Sequence, residues 1–170
     1  MQWIKTLTSV IVVIGLLAGG LIASTLWRNA VPIVAEPGAL ERLSRYLGSN
    51  TVTTTTQSTW PELITPRYAA QRDTLVDLAV ESLGELGWDA VVVGETDGAS
   101  ETVTITAVVS TPLLGFNDDV EIRIRASDAQ TVQLEFTASS RVGRADFGAN
   151  LGHWQRFRHA LESRLSTHQP

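Results

Sequence analysis

The residues that could do chemistry in this chain are polar side chains in two short segments: Asp118, Asp119, Arg141, Arg144, Asp146 and Asn150. Asp118 and Asp119 are adjacent and open a predicted strand, so we expect their side chains to point to opposite faces. The carboxylate on the covered face could bind a guanidinium of Arg141 or Arg144 and act as a general base beside an arginine anion clamp. The alternative is a charged clasp between two loops. We favour the clasp because no nucleophile accompanies the pair.

Two glycines flank the start of the predicted last helix. A helix N-terminus with Gly143, Gly148 and nearby arginines could bind a phosphate or a lipid headgroup. Asp146, however, is a natural N-cap at this position, and an anionic cap disfavours an anionic ligand. The sequence therefore favours a conformational role for both glycines.

The sequence contains no pattern that predicts a metal site or a cofactor site. The 170 residues include no cysteine, which excludes disulfides, thiol nucleophiles and cysteine metal sites. His153 and His159 lie six residues apart on one predicted helix, so they cannot converge on one ion. Phosphate-loop, dinucleotide-binding and Gly-x-Ser-x-Gly motifs are absent. We therefore expect no metal and no cofactor, and the net charge of −5 argues against nucleic acid as a partner.

The first element of the chain is an uncharged apolar run. The 20 residues from Leu7 to Leu26 would span about 30 Å as a helix, the thickness of a bilayer core. Trp3 and Trp27 bracket the run, as interfacial aromatic residues do. The alternative is a cleaved signal peptide, but the run is long for one and no Ala-x-Ala site follows. We predict a retained transmembrane anchor over residues 1–28.

The orientation and packing of this anchor follow from its flanks and its glycines. Lys5 and the amino terminus favour an inside N-terminus, which places the rest on the periplasmic side of a bacterial inner membrane. Gly15, Gly19 and Ala23 recur every four residues and form a small-residue stripe that could pack against another helix. The other interpretation of the stripe is that glycine is simply common in membrane helices.

Residues 29–66 are predicted to form a partly structured tether, since four prolines punctuate them. Leu40, Leu43 and Leu47 have helical spacing, which predicts a short amphipathic helix over 38–47. Trp60 is expected to pack where the tether meets the folded core.

Residues 67–166 carry the pattern of one globular domain. Helices are predicted over 72–86 and 147–165, with four strands between them at 88–94, 102–109, 120–126 and 132–138, and turns at 95–98, 112–117 and 127–130. The first strand is an almost continuous apolar run, which indicates a central position, whereas the others alternate apolar and polar residues. The predicted fold is α+β: a four- to five-stranded antiparallel sheet with two helices on one face, and one transmembrane helix. A further short strand is possible at 67–69.

Two segments carry a family resemblance: Gly-Phe-x-Asp-Asp-Val at 115–120 and Ser-Arg-Val-Gly-x-x-Asp-x-Gly-x-Asn at 140–150. Together they resemble the domain of unknown function 1499 family, over about Tyr68 to Leu165. The resemblance supports the fold and implies no established activity.

The leading hypothesis is therefore a membrane-anchored, non-enzymatic interaction module, an accessory subunit of a membrane complex. Its expected partners are membrane lipid and either a membrane protein or a second copy bound through the transmembrane helix. The alternatives are a domain that binds a lipid or other apolar ligand between sheet and helices, and a hydrolase-like enzyme that uses Asp118 and Asp119 with Arg141.

Overall fold

A computed structural model describes residues 2–97, 100–111, 115–128 and 130–168. Its helices are α1 Gln2–Arg28, α2 Ala39–Gly48, α3 Arg72–Glu85 and α4 Ala149–His168, with a short 3₁₀ helix at Pro61–Leu63. Its strands are β1 Thr51–Thr53, β2 Arg67–Ala69, β3 Asp89–Asp97, β4 Ser100–Ser110, β5 Asn117–Ala126 and β6 Thr131–Ser140. The predicted α+β class is confirmed. Parts of the three predicted turns, residues 98–99, 112–114 and 129, lie outside the described residues.

The six strands form one antiparallel sheet in the order β1-β6-β5-β4-β3, and β2 pairs with another part of β6. The sheet has more strands than predicted because both short segments add along the outer edge of β6. Alternation sorts the side chains as expected. Ile105, Ile122 and Phe136 are buried against the helices, whereas Thr106 and Glu121 lie opposite each other on the open face.

The prediction of a central position for β3 was wrong. β3 pairs with β4 alone and is an edge strand in the described sheet. Val91, Val92 and Val93 are all exposed. Continuous apolar strands are usually buried on both faces, but valine also favours strands by shape, and this run reflects that preference without burial.

Helices α3 and α4 cover one face of the sheet. Trp154 and Phe157 of α4 lie with ring centroids 5.0 and 5.9 Å from that of Phe136, which centres the core on β6. The far ends of the two helices are joined by Arg164, which donates to Glu81 and Glu85 at 2.9 and 2.8 Å. Two carboxylates near the end of α3 are therefore paired with α4.

Residues 29–66 pack closely on this layered core. Helix α2 matches the predicted amphipathic helix, and Tyr46, Val52, Trp60 and Leu63 are buried. The fully buried guanidinium of Arg42 binds the Glu62 carboxylate at 2.6 and 3.0 Å and lies 4.4 Å from the Trp60 ring centroid. It also donates to carbonyls of the loop that precedes α2, those of Pro32, Ala35 and Glu36. One cation thus fixes the loop, α2 and the 3₁₀ helix together.

Helix α1 is long and apolar enough to cross a membrane, by length and composition. Most of it is exposed, but its last turns enter the domain: Leu26 is buried in the core and Ile22 packs against it. After α1, Asn29 donates from Nδ2 to the carbonyl of Phe147 at 2.9 Å. Val31 is buried beside Gly148 and Tyr46.

Candidate functional site

Asp118 and Asp119 open β5, and the strand's alternation sends their side chains to opposite faces of the sheet. Asp118 is 1% exposed and lies beneath α4. Asp119 lies on the open face and is exposed. The six residues singled out in the sequence therefore divide between two environments.

On the covered face, Asp118 is bound by a histidine. Its Oδ2 lies 2.8 Å from Nε2 of His153, which is 4% exposed. The other ring nitrogen, Nδ1, lies 2.6 Å from Nη2 of Arg156. Because a guanidinium can only donate, Nδ1 accepts, and the ring proton lies on Nε2, donated to Asp118. The Trp88 ring packs edge-on against the imidazole at 5.5 Å. The three residues form a chain from a buried carboxylate to an exposed guanidinium.

On the open face, Arg141 and Asp119 form a two-pronged ion pair. Nε lies 3.0 and 2.9 Å from the two carboxylate oxygens, and Nη2 lies 2.6 Å from Oδ1. These hydrogen bonds from Arg141 lower the pKa of Asp119 below its usual value. The pair joins the start of β5 to the loop after β6. The expectation that an arginine would bind the covered carboxylate was wrong, because Asp118 is bound by His153 and Arg141 binds the exposed Asp119 instead. Arg144 of the same loop is exposed and makes no ion pair within the described part of the chain.

Asp146 and Asn150 organise the start of α4. Asp146 accepts from the backbone N–H groups of Gly148 and Asn150 at 2.8 and 3.0 Å. Burial raises the pKa of Asp146, and these N–H bonds oppose the rise. Asn150 donates to the carbonyl of Asn50 at 2.8 Å and to Ser140 Oγ at 3.1 Å. Both residues therefore hold the loop before α4 in place.

The predicted last helix began too early, because Phe147 lies outside α4. Phe147 has φ 52° and Gly148 has φ 80°, so both lie in the left-handed region. Because this conformation is not helical, α4 begins only at Ala149. Asp146 still supplies the side-chain hydrogen bonds of a cap from this bend.

This arrangement bears directly on the hydrolase hypothesis. Asp119 and Arg141 are paired on the open face, while Asp118 is engaged beneath α4, so the three do not surround one substrate position. Among the described residues no group of three metal-ligating side chains converges. The site contains two structural connections: the Asp119–Arg141 pair, and the contacts of Asp146 and Asn150 before α4. It also contains a chain of polar groups that leads from Asp118 to the surface at Arg156.

The sequence analysis considered His153 only as a metal ligand and did not identify Arg156 as a site residue. A signal was present, since His153 lies one residue before Trp154 and three after Asn150, all on the buried side of α4. A histidine in such a stripe requires a polar partner. The partner lies 35 residues away on β5, a pairing that helical periodicity cannot reveal.

The open face of the sheet carries a groove of about 440 Å³. Asp89, Val91, Thr106, Glu121 and Arg141 are among its lining residues. Glu121 is paired with Arg123 at 3.0 Å, whereas Asp89 makes no ion pair with any described residue. The groove thus combines apolar, hydroxyl and acidic groups on a surface that α3 and α4 leave uncovered.

A much smaller cavity lies on the covered side, between α2, β1 and the start of α4. The cavity is lined by Tyr46, Val52, Trp60 and Leu151 among others and has a volume of about 10 Å³, roughly room for one water molecule. In the described residues this cavity gives no support to a lipid bound between the layers, because such ligands need several hundred Å³.

Fold and site together define a small α+β protein with one apolar N-terminal helix, a sheet covered on one face, and polar connections around the start of α4. The family model described as "Protein of unknown function (DUF1499)" matches residues 34–161, and the chain belongs to that family. The match begins well before the predicted start at Tyr68 and includes the Arg42–Glu62 pair. Searches of curated proteins and of solved structures found no match.

Proposed function

We propose that this protein is a membrane-anchored, non-enzymatic interaction module, an accessory subunit of a membrane protein complex. Its partner binds the open face of the sheet along β3. The observation that carries the proposal is the uncovered groove on this face, which ends at an exposed apolar edge strand. A partner that completes the sheet would use the free backbone groups of β3 and the groove beside it.

An exposed apolar edge strand such as β3 is unusual in a protein whose edge binds no partner. Edge strands are normally protected by charges, prolines, bulges or a covering element. β3 carries three acidic residues, Asp89, Glu95 and Asp97, but the five residues 90–94 between them contain no charge and no proline. Val91 is 63% exposed, and its neighbours Val92 and Val93 are exposed as well. Because Asp89 lacks an ion-pair partner in the described chain, we expect the bound segment to carry a basic residue opposite it.

The proposal includes a location, the bacterial inner membrane with the domain on the periplasmic side. Support comes from the long apolar helix near the N-terminus and from Lys5 before its uncharged run. Addition of protease to intact spheroplasts tests the side. The domain should be degraded without lysis, and full protection until lysis would place it in the cytoplasm.

Photo-crosslinking from native membranes tests the binding surface. A photoreactive amino acid at Val91 should give a discrete crosslinked species, whereas one at Val142 should not. Val142 is a matched control because it is 58% exposed and lies off the sheet, in the loop after β6. Equal crosslinking from both positions, or none from Val91, would contradict the assigned surface.

Substitution gives the complementary test. Val91→Lys places a charge in the groove and should abolish co-purification of the crosslinked partner, while Val142→Lys should leave it unchanged. If the chain extracted in mild detergent is a lone monomer under all conditions, the accessory-subunit proposal fails.

Self-association through α1 is a separate part of the proposal. Gly15 and Gly19 have no atom within 4 Å of an added Cβ, and with Ala23 they remain exposed. A second helix could therefore approach this stripe closely. Gly19→Leu should reduce crosslinked dimer in membranes relative to Leu16→Ile, and unchanged dimer would remove this contact.

A further inference from the structure

The end of α1 is part of the folded domain. Ile22, Leu26 and Asn29 follow one another at helical spacing and all face the domain. These contacts begin at residue 22, so the segment free to lie in the hydrocarbon core is 2–21. From Ile22 to Asn29 a helix rises only about 10 Å. The part of the domain that touches these residues must therefore lie beside the bilayer surface.

Helix α4 is the element at that surface. A Cβ added at Gly152 would lie 2.9 Å from the carbonyl oxygen of Asn29, too close for any other residue. One added at Gly148, which has φ +80°, would lie 2.8 Å from Cγ2 of Val31. Two glycines thus allow the first turns of α4 to contact the chain directly as it leaves α1.

Arg156 lies one helical turn beyond this contact, on the same side of α4. Its Nη1 is 3.6 Å from the position of a Cβ on Gly152. The buried Asp118–His153 pair holds its Nη2 at 2.6 Å from the ring. In the described part of the chain no carboxylate binds this guanidinium directly, although Arg158 and Arg164 of the same helix both have one. The remaining N–H groups of Arg156 are available at the surface.

We propose that Arg156, together with Arg28 at the end of α1, binds the phosphate of an anionic lipid headgroup in the leaflet next to the domain. Arg28 immediately precedes Asn29, so its backbone lies at the level of the α4 contact. A guanidinium binds a phosphate through parallel N–H donors, and two cations at headgroup level favour anionic lipids over zwitterionic ones. In this proposal the Asp118–His153 pair positions the Arg156 guanidinium for the lipid phosphate. The inference rests on the proposed membrane anchorage of α1.

Native mass spectrometry of the full-length chain in mild detergent tests the site. Phosphatidylglycerol and phosphatidylcholine are titrated in parallel. We expect the native chain to prefer phosphatidylglycerol by at least about fivefold, the scale expected for a cation near an anionic surface. Arg156→Gln should reduce the preference to near unity. Arg158→Gln, on the same helix but paired with Glu162 at 2.7 Å, should retain it.

Two additional arms keep the outcome decisive. Arg28→Gln changes an exposed side chain outside the His153 chain and should reduce the preference even if Arg156→Gln does not fold. Excess inorganic phosphate should not displace the bound phosphatidylglycerol. If it does displace the lipid, the site binds soluble phosphate and the proposed lipid site is wrong.

Retention of the native preference in both Arg28→Gln and Arg156→Gln would overturn the proposal. Failure of the lipid site can be distinguished from failure of the proposed membrane anchorage. A variant that stays in the membrane fraction but loses lipid selectivity supports the site. A native chain found in the aqueous fraction contradicts the proposed anchorage instead.

Discussion

At the scale of single residues, the start of α4 depends on Asp146. Its carboxylate caps two backbone N–H groups that otherwise lack partners at a helix start. We expect Asp146→Ala to lower the free energy of unfolding by about 1 kcal/mol. Asp146→Asn, which keeps one acceptor oxygen, should lose less. Chemical denaturation of the detergent-solubilised chain, followed by tryptophan fluorescence, measures both, and an unchanged Asp146→Ala midpoint would disprove the capping role.

The pair between Asp119 and Arg141 predicts a pH dependence. Because Arg141 lowers the pKa of Asp119, the pair stabilises the fold above the ordinary carboxyl pKa. That contribution is lost as the pH falls through the lowered value. In Arg141→Gln the carboxyl should titrate near its ordinary pKa, and native and variant should become equally stable in acid. Carbon-13 NMR of the Asp119 carboxyl measures the shift, and identical titration curves would rule out the pair in solution.

Residue-level prediction from the sequence succeeded where the rule was local. The opposite directions of Asp118 and Asp119 follow from strand alternation, and the cap at Asp146 follows from its place before a helix. The partner of Asp118 did not follow, because His153 reaches it only through the packing of α4 on β5. Polar partners that meet across layers leave no periodic signal along the chain.

At the scale of elements, the Arg42–Glu62 pair joins α2, the loop before it and the 3₁₀ helix. Glu62→Ala would leave a fully buried guanidinium without its counter-ion, so we expect a loss of about 3–5 kcal/mol. The control is Glu162→Ala, which breaks the half-exposed Arg158 pair and a hydrogen bond from Tyr68 and should cost about 1 kcal/mol. Denaturation midpoints compare the two. Equal losses would mean that Arg42 does not depend on Glu62.

The contact between Asn29, which directly follows α1, and Gly152 of α4 predicts opposite effects of the same substitution at two helical glycines. Gly152→Ala forces a Cβ against the Asn29 carbonyl and should destabilise by about 1–3 kcal/mol. Gly84→Ala on α3 meets no atom within 4 Å and should stabilise by about 0.5–1 kcal/mol through helix propensity. Thermal unfolding of both variants is the measurement. A stabilising Gly152→Ala would show that Asn29 does not pack on α4.

Element types were predictable, but the edge position of β3 and the additional short strand β1 were not. The strand periodicity of β4, β5 and β6 and the helical stripe of α4 lie in the residues themselves. The edge position of β3 was missed because Val91 to Val93 favour a strand in either position. Thr51–Thr53 was not predicted as a strand, since three residues are too few to show alternation, and its pairing with β6 spans more than 80 residues.

At the scale of the whole molecule, residues 29–66 pack into the same hydrophobic core as the sheet and α4. The sequence predicted a tether there because prolines interrupt it. In the structure, Trp60, Tyr46 and Val52 lie in the same core cluster as β6 and α4. The prolines therefore shape a compact path between elements, which sequence punctuation alone cannot distinguish from a loose linker.

This packing extends to α1. With Leu26 buried in the core and Asn29 bound to the loop before α4, the last turns of α1 hold the domain close to the helix. A partner bound on β3 would therefore meet a domain of restricted orientation, which suits a subunit that assembles beside membrane proteins.

The anchor claim is tested most directly by the intact mass of the protein recovered from alkaline-washed membranes. A retained α1 predicts a chain that resists extraction and has the full-length mass of 18.4 kDa, within the change expected for loss of Met1. A chain that is released by the wash and lacks its first two dozen residues would contradict it.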